Sequence, residues 1–227
     1  MPESVTQRRS RRRLLSWIPI SIVALICVGF VVAALLMQNS WWIDDDRPAS
    51  ADQQASDGMS MLTDPGVDYL TRKGILRVRV GEDALPAAEL GLEADGSRTF
   101  EPLTPVQAVV IADDGAFYVD LVRSFTVTTA GGRVESVALV RETNGDWLSM
   151  LPVLQDAAES WGWTDEDLAR LEEDLTSAAH EGDGKQYSAQ LGPVEHNGAL
   201  SSATVDVDLD SSEVTVSFVV ADAGAGS

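Results

Sequence analysis

The sequence predicts an α+β fold carried on one membrane span: an N-terminal transmembrane helix, then an antiparallel β-sheet domain with two helices packed on it. Three observations predict it. Leu14 to Met37 is a run of 24 residues without a charge, long enough as a helix to reach about 36 Å and cross a bilayer core. Several later segments alternate apolar and polar residues with period two, the pattern of half-buried strands. After Ser149 the period changes to 3.6, the pattern of amphipathic helices.

Residues 1–13 form a basic tail with five Arg, at positions Arg8, Arg9, Arg11, Arg12 and Arg13, against one Glu. Asp44, Asp45 and Asp46 follow the apolar run. Because cationic flanks are retained in the cytoplasm, this asymmetry places the N-terminus inside and the C-terminal domain outside. Trp17 near one end of segment 14–37, and Trp41 with Trp42 near the other, suit the two interfaces, where an indole buries its ring and keeps its N–H hydrated. The bilayer is thus the first expected partner, through residues 14–37. Val32 and Ala34 also satisfy the small-residue rule of a signal-peptide cleavage site, which would make the protein secreted. Against that stands an apolar run well beyond the roughly 7–15 residues of a signal core.

Residues 38–60 read as an acidic flexible linker, too poor in large apolar side chains to offset the entropy of ordering. The folded domain is expected over 61–220, with a disordered small-residue tail at 221–227. Strands are expected at 75–80, 105–112, 116–128 and 133–141, where β-branched and aromatic residues dominate. Asp114-Gly115 and Gly131-Gly132 supply residue types that populate positive φ, so they are expected to close tight hairpins of an antiparallel meander. The segment 82–103 reads as an irregular loop with a short helical turn. Leu151, Leu154, Ala158 and Trp161 share a face of one helix, which Gly162 ends. Thr164 caps a second helix, whose buried stripe is Leu168, Leu171 and Leu175 and whose positive end is favoured by Asp165, Glu166 and Asp167. A further strand at 185–191 and a hairpin of 203–209 with 213–220 complete the domain.

Charge excludes one function class. The formal net charge is −20, and it divides into +4 over residues 1–13 and −24 over the rest. So negative an outer domain repels nucleic acid, whose binding requires Lys and Arg to displace counterions from phosphates. Cys27, within the apolar run, is the only cysteine, so the outer domain has neither a disulfide nor a thiolate zinc site. The bias toward Ala, Asp and Val, with Arg over Lys, fits a GC-rich bacterial genome.

Specific chemistry is sparse, and no cofactor is implied. Asp206, Asp208 and Asp210 imitate the start of a calcium loop, but Ser211 and Ser217 stand where such a loop needs Gly and Glu, so a solvated strand face is expected. Arg72, Lys73, Arg77 and Arg79 concentrate basic charge in an acidic domain. They read either as cross-strand partners of acidic residues, such as the Asp206–Asp210 face, or as a dock for an anion or a partner protein. His180 belongs at a helix C-terminus, where the dipole favours a cation. Neither it nor His196 accompanies a nucleophile elbow, so a triad hydrolase lacks support. Trp147, Trp161 and Trp163 read as core, with a glycan platform as the alternative.

The leading expectation is a non-enzymatic, single-pass protein of the cell membrane whose acidic outer domain contacts an envelope protein or cell-wall component. A membrane-tethered carboxylate hydrolase acting on envelope glycans, and a small-ligand or cation binder, are the alternatives from other classes.

Overall fold

Thr63 begins the first helix of the domain. Its Oγ1 accepts a hydrogen bond from the Gly66 N–H, Pro65 sits in the first turn, and Gly74 ends the helix in the left-handed conformation at φ 71°. This helix, α1 (Asp64–Lys73), was not expected from the sequence, because its inward face buries only Gly66 and Leu70. The computed structural model describes residues 49–144, 147–181 and 185–226. The expected span 14–37, the Arg residues before it and Trp17, Trp41 and Trp42 lie outside these residues. No described helix is long and apolar enough to cross a membrane.

The described chain is an α+β fold with mostly antiparallel strands and three α-helices among the described residues, where the sequence predicted two. The strands divide into two sheets. β1 (Ile75–Arg79), β3 (Val106–Ile111) and β4 (Ala116–Val122) form a three-stranded sheet in the order β1-β3-β4. β1 and β3 are parallel, a departure from the expected meander. The crossover between them contains the short helical turn Ala87–Leu90 and β2 (Gly96–Phe100), a strand missed in the sequence because four of its five residues are exposed. β2 opens the second sheet, with β5 (Ser124–Ala130), β6 (Arg133–Asn144), β7 (Gln186–His196), β8 (Ala199–Asp208) and β9 (Glu213–Asp222). Its order is β2-β5-β6-β9-β8-β7, antiparallel throughout.

The single strand expected at 116–128 is therefore two strands in different sheets. Phe117 and Val119 are buried on alternate positions, but the next buried residue is Val122, so Asp120 and Leu121 both face outward. That slip in the two-residue period marks the point where the chain leaves one sheet for the other, with Leu121 at φ 59°. The two hairpins form where expected. Gly131 and Gly132, at φ 58° and 79°, close β5 to β6. The β3–β4 hairpin closes around Asp114-Gly115, with the Ala112 N–H donating to the Gly115 carbonyl.

α2 (Leu151–Trp161) and α3 (Asp165–Glu181) match the expected faces: Leu154 and Trp161 are buried in one, Leu168, Leu171 and Leu175 in the other. Trp161 packs edge-on to Phe117 of β4 with ring centroids 5.0 Å apart, and lies 5.2 Å from both Trp163 and Phe218 of β9. The helix corner thus joins the two sheets through aromatic contacts. The folded body also includes residues outside the expected limits of 61 and 220. Met59 is buried, Ser60 donates its N–H to the Arg77 carbonyl, and a 3₁₀ turn follows β9 over Ala223–Gly226.

Thr164 and Asp167 cap α3 reciprocally. The Asp167 N–H donates to Thr164 Oγ1, while Asp167 Oδ2 accepts from the Thr164 N–H and hydroxyl at 2.9 and 2.7 Å. These bonds, the backbone one foremost, hold the Asp167 carboxyl below its ordinary 3.8. A depressed folded pKa makes the cap's contribution complete above the unfolded value and lost as pH falls through the folded one. Thr164→Ala is expected to cost about 1 kcal/mol at neutral pH. Urea melts should show the deficit of Asp167→Asn relative to the parent shrinking below about pH 4. A deficit that is constant with pH would contradict this role.

Candidate interaction surfaces

The basic residues singled out in the sequence are only partly brought together. Lys73 ends α1 and Arg77 follows on β1, and the sharp reversal at Gly74 places both along one shallow groove of about 200 Å³, with Tyr69, Gln54 and Ser60. Lys73 Nζ lies 6.0 Å from the Tyr69 ring centroid. Arg72 is exposed, its Nε donating to the Asp68 carbonyl at 3.4 Å, and Arg79 is half-buried further along β1. Neither lines that groove. The expected pairing of Arg77 and Arg79 with the Asp206–Asp210 face is corrected by the topology: β1 belongs to the three-stranded sheet and β8 to the six-stranded one.

Asp208 at the end of β8 and Asp210 in the turn after it are engaged locally instead. Lys185 Nζ lies 3.1 Å from Asp210 Oδ1. Asp208 accepts from Gln186 Nε2 at 3.0 Å and from the N–H groups of Asp210 and Ser211. The turn amide of Ser211, opposed by slight desolvation and helped by Gln186, lowers the Asp208 pKa. This carboxylate shapes the β8–β9 turn. Among the described residues no group of three or more His, Cys, Asp or Glu is placed to hold a metal ion.

A larger groove, about 620 Å³, lies where β3 and β4 meet α2. Its apolar wall is Tyr118, Leu121, Val153 and Ala157, and Asp120, Asp156 and Arg141 border it. Tyr118 and Leu121, three positions apart on β4, are 53% and 57% exposed, and both line the groove. The groove's backbone edge is braced rather than open. Trp161 Nε1 donates to the Tyr118 carbonyl and Arg141 Nη1 to the Asp120 carbonyl, both at 3.3 Å. Gln107 Nε2 holds Asp120 Oδ1 at 2.9 Å.

Leu121 is the most informative residue here. A leucine at φ 59° pays for the clash of its Cβ with backbone, on the order of 1 kcal/mol, and in return holds an apolar side chain out toward water. Sequence reasoning missed this site because it is built from β4 and α2, which are separated by 28 intervening residues. The one local signal was the slipped alternation at Asp120-Leu121. Of the tryptophans among the described residues, Trp161 and Trp163 are buried and Trp147 packs partly against the core, so none of these three offers an open platform.

Asp120 and Asp156 are exposed, and no Asp or Glu among the described residues is buried. His180 is exposed at the end of α3, its Nδ1 2.6 Å from the Thr176 carbonyl, and His196 lies in the β7–β8 corner with its ring 6.3 Å from Phe117. No protein-family model, curated protein or solved structure matches this chain.

Proposed function

We propose that this chain is a bacterial membrane-tethered docking protein, anchored through residues 14–37, whose acidic outer domain binds a segment of an envelope partner in the groove between β4 and α2. The observation that carries this reading is the pair Tyr118 and Leu121. Two large apolar side chains stand exposed at the groove's lip, one of them in a strained backbone conformation that a folded chain retains only at some cost. Domain charge sets the chemistry of the partner: a negative surface bordered by Asp120 and Asp156 favours a segment that places apolar side chains in the groove and Lys or Arg at its rim. The Lys73–Arg77 groove is a second, smaller contact suited to an acidic group of the same partner or of the cell wall.

The test is a photoreactive residue placed at Tyr118 in cells. The reading expects a discrete adduct with one envelope protein, lost when Leu121→Asp is added although the domain remains folded. An adduct that persists in Leu121→Asp, or no protein adduct at all, would overturn it. A related outcome separates fold from function. Leu121→Gly removes the left-handed strain with little loss of burial, so it is expected to raise stability by up to about 1 kcal/mol while weakening the adduct. Thermal melts beside crosslinking yields measure both.

A further inference from the structure

The six-stranded sheet has a second face that the groove does not use. Phe218 points to the side of Trp161 and Trp163, and it lines the groove. Strand alternation sends Ser217 and Val219 the other way, and register carries that outer face across all six strands. At its centre, on the neighbouring strands β6 and β9, Ala138 lies opposite Val219, Val140 opposite Ser217 and Ser136 opposite Ala221. Hydroxyl residues flank this stripe, Thr126 and Thr128 on one side, Ser202 and Thr204 on the other. An outer face that is simply solvated normally carries long charged side chains. Here the central positions carry small, flat ones.

Two features make this face fit to be covered. Its hydroxyls partly satisfy one another: Thr99 and Thr126 Oγ1 are 2.8 Å apart, and Ser97 Oγ and Thr128 Oγ1 are 3.3 Å apart. Removing water from such pairs costs less than desolvating free hydroxyls. Its size also matches a stable contact. Six strands spaced by about 4.8 Å and averaging about 30 Å in length give a face of roughly 900 Å². That is close to the roughly 800 Å² each partner buries in a specific complex.

We infer that this face is the interface of a homodimer in which two copies stack sheet on sheet. The occupant is a second copy because the centre of the face, small and uncharged with hydroxyls beside it, is complementary to itself, whereas the basic partner favoured by the rest of the surface finds carboxylates only at the ends of the face and none at its centre. Charge also sets the orientation. Asp206, Asp208, Glu142 and Glu213 gather at one end of the face, and Leu200, 37% exposed, lies at the other with Glu195 on the edge strand. A twofold axis running across the strands keeps the two four-carboxylate ends apart, while one running along them would stack like charges. The groove, on the opposite side of the sheet, stays open in each copy.

The test uses the full chain in its membrane, with Cys27→Ser to remove the natural thiol and Ser217→Cys to place one at the centre of the face. A short bifunctional thiol reagent is expected to give a dimer in high yield, and light scattering of the solubilised chain to give twice the chain mass. Adding Val219→Lys should reduce the crosslink at least tenfold. Glu172→Cys, exposed on α3, should give little. A monomeric mass, or equal crosslinking at Ser217→Cys and Glu172→Cys, would overturn the proposal whether or not the groove binds its partner.

Discussion

Trp161→Ala is expected to cost the domain about 4 kcal/mol or more, enough to leave it largely unfolded if its stability lies at the low end of the usual 5–15 kcal/mol. The side chain is wholly buried and touches both halves of the fold, Phe117 from the three-stranded sheet and Phe218 from the six-stranded one. Truncation would remove its apolar burial and leave a cavity the size of an indole. It would also remove aromatic contacts worth about 0.5–1.5 kcal/mol each and the bond from Nε1 to the Tyr118 carbonyl. The same residue's carbonyl accepts from the buried Ser201 hydroxyl at 2.6 Å, which ties the helix corner to β8. Trp161→Phe keeps a ring while losing the indole bond, so a cost of about 1–2 kcal/mol is expected there. Urea midpoints followed by far-ultraviolet circular dichroism measure both. A loss below about 1.5 kcal/mol for the alanine variant would mean that the two sheets are held together elsewhere.

Gly66→Ala is expected to destabilise by about 2 kcal/mol or more, the opposite of what the local sequence suggests. In an exposed helix this substitution normally gains close to 1 kcal/mol, because alanine loses less backbone freedom on folding. Gly66, in the first turn of α1, faces the Met61 backbone, and a methyl group there would overlap the Met61 carbonyl oxygen. The obstacle is main chain, held in place by the Leu62 N–H donating to Leu90 and the Ser60 N–H donating to Arg77. It cannot turn aside as a flexible side chain would, and such overpacking typically costs about 1–3 kcal/mol. The sign of the change, read in the same melts, decides between the two accounts.

These two residues also show where the sequence was legible. α2 and α3 could be read because Leu154, Trp161, Leu168, Leu171 and Leu175 recur at helical spacing and Thr164 with Asp167 marks a start; each feature is local. β8 and β9 could be read because every second residue from Ala203 to Val207 and from Val214 to Val220 is buried. α1 could not, since Gly66 is buried by contact with Met61 rather than by being apolar. Nor could β2, whose Gly96-Ser97-Arg98-Thr99 earns its place through backbone pairing and hydroxyl contacts with β5. The groove belongs to the same class: Leu121 is an ordinary strand residue until α2 is laid beside it. Of the basic cluster, only Lys73 and Arg77 meet, because the left-handed turn at Gly74 folds the helix end back along β1.

The proposed arrangement has an N-terminal span holding an acidic docking domain outside the cell membrane. It is tested most directly by adding protease to wall-stripped cells that carry a C-terminally tagged chain. The account predicts a full-length chain in the membrane fraction whose tag is destroyed from outside. Recovery of the tag in the medium, on a chain lacking about 34 residues, would make the apolar run a cleaved signal and contradict the tethered reading.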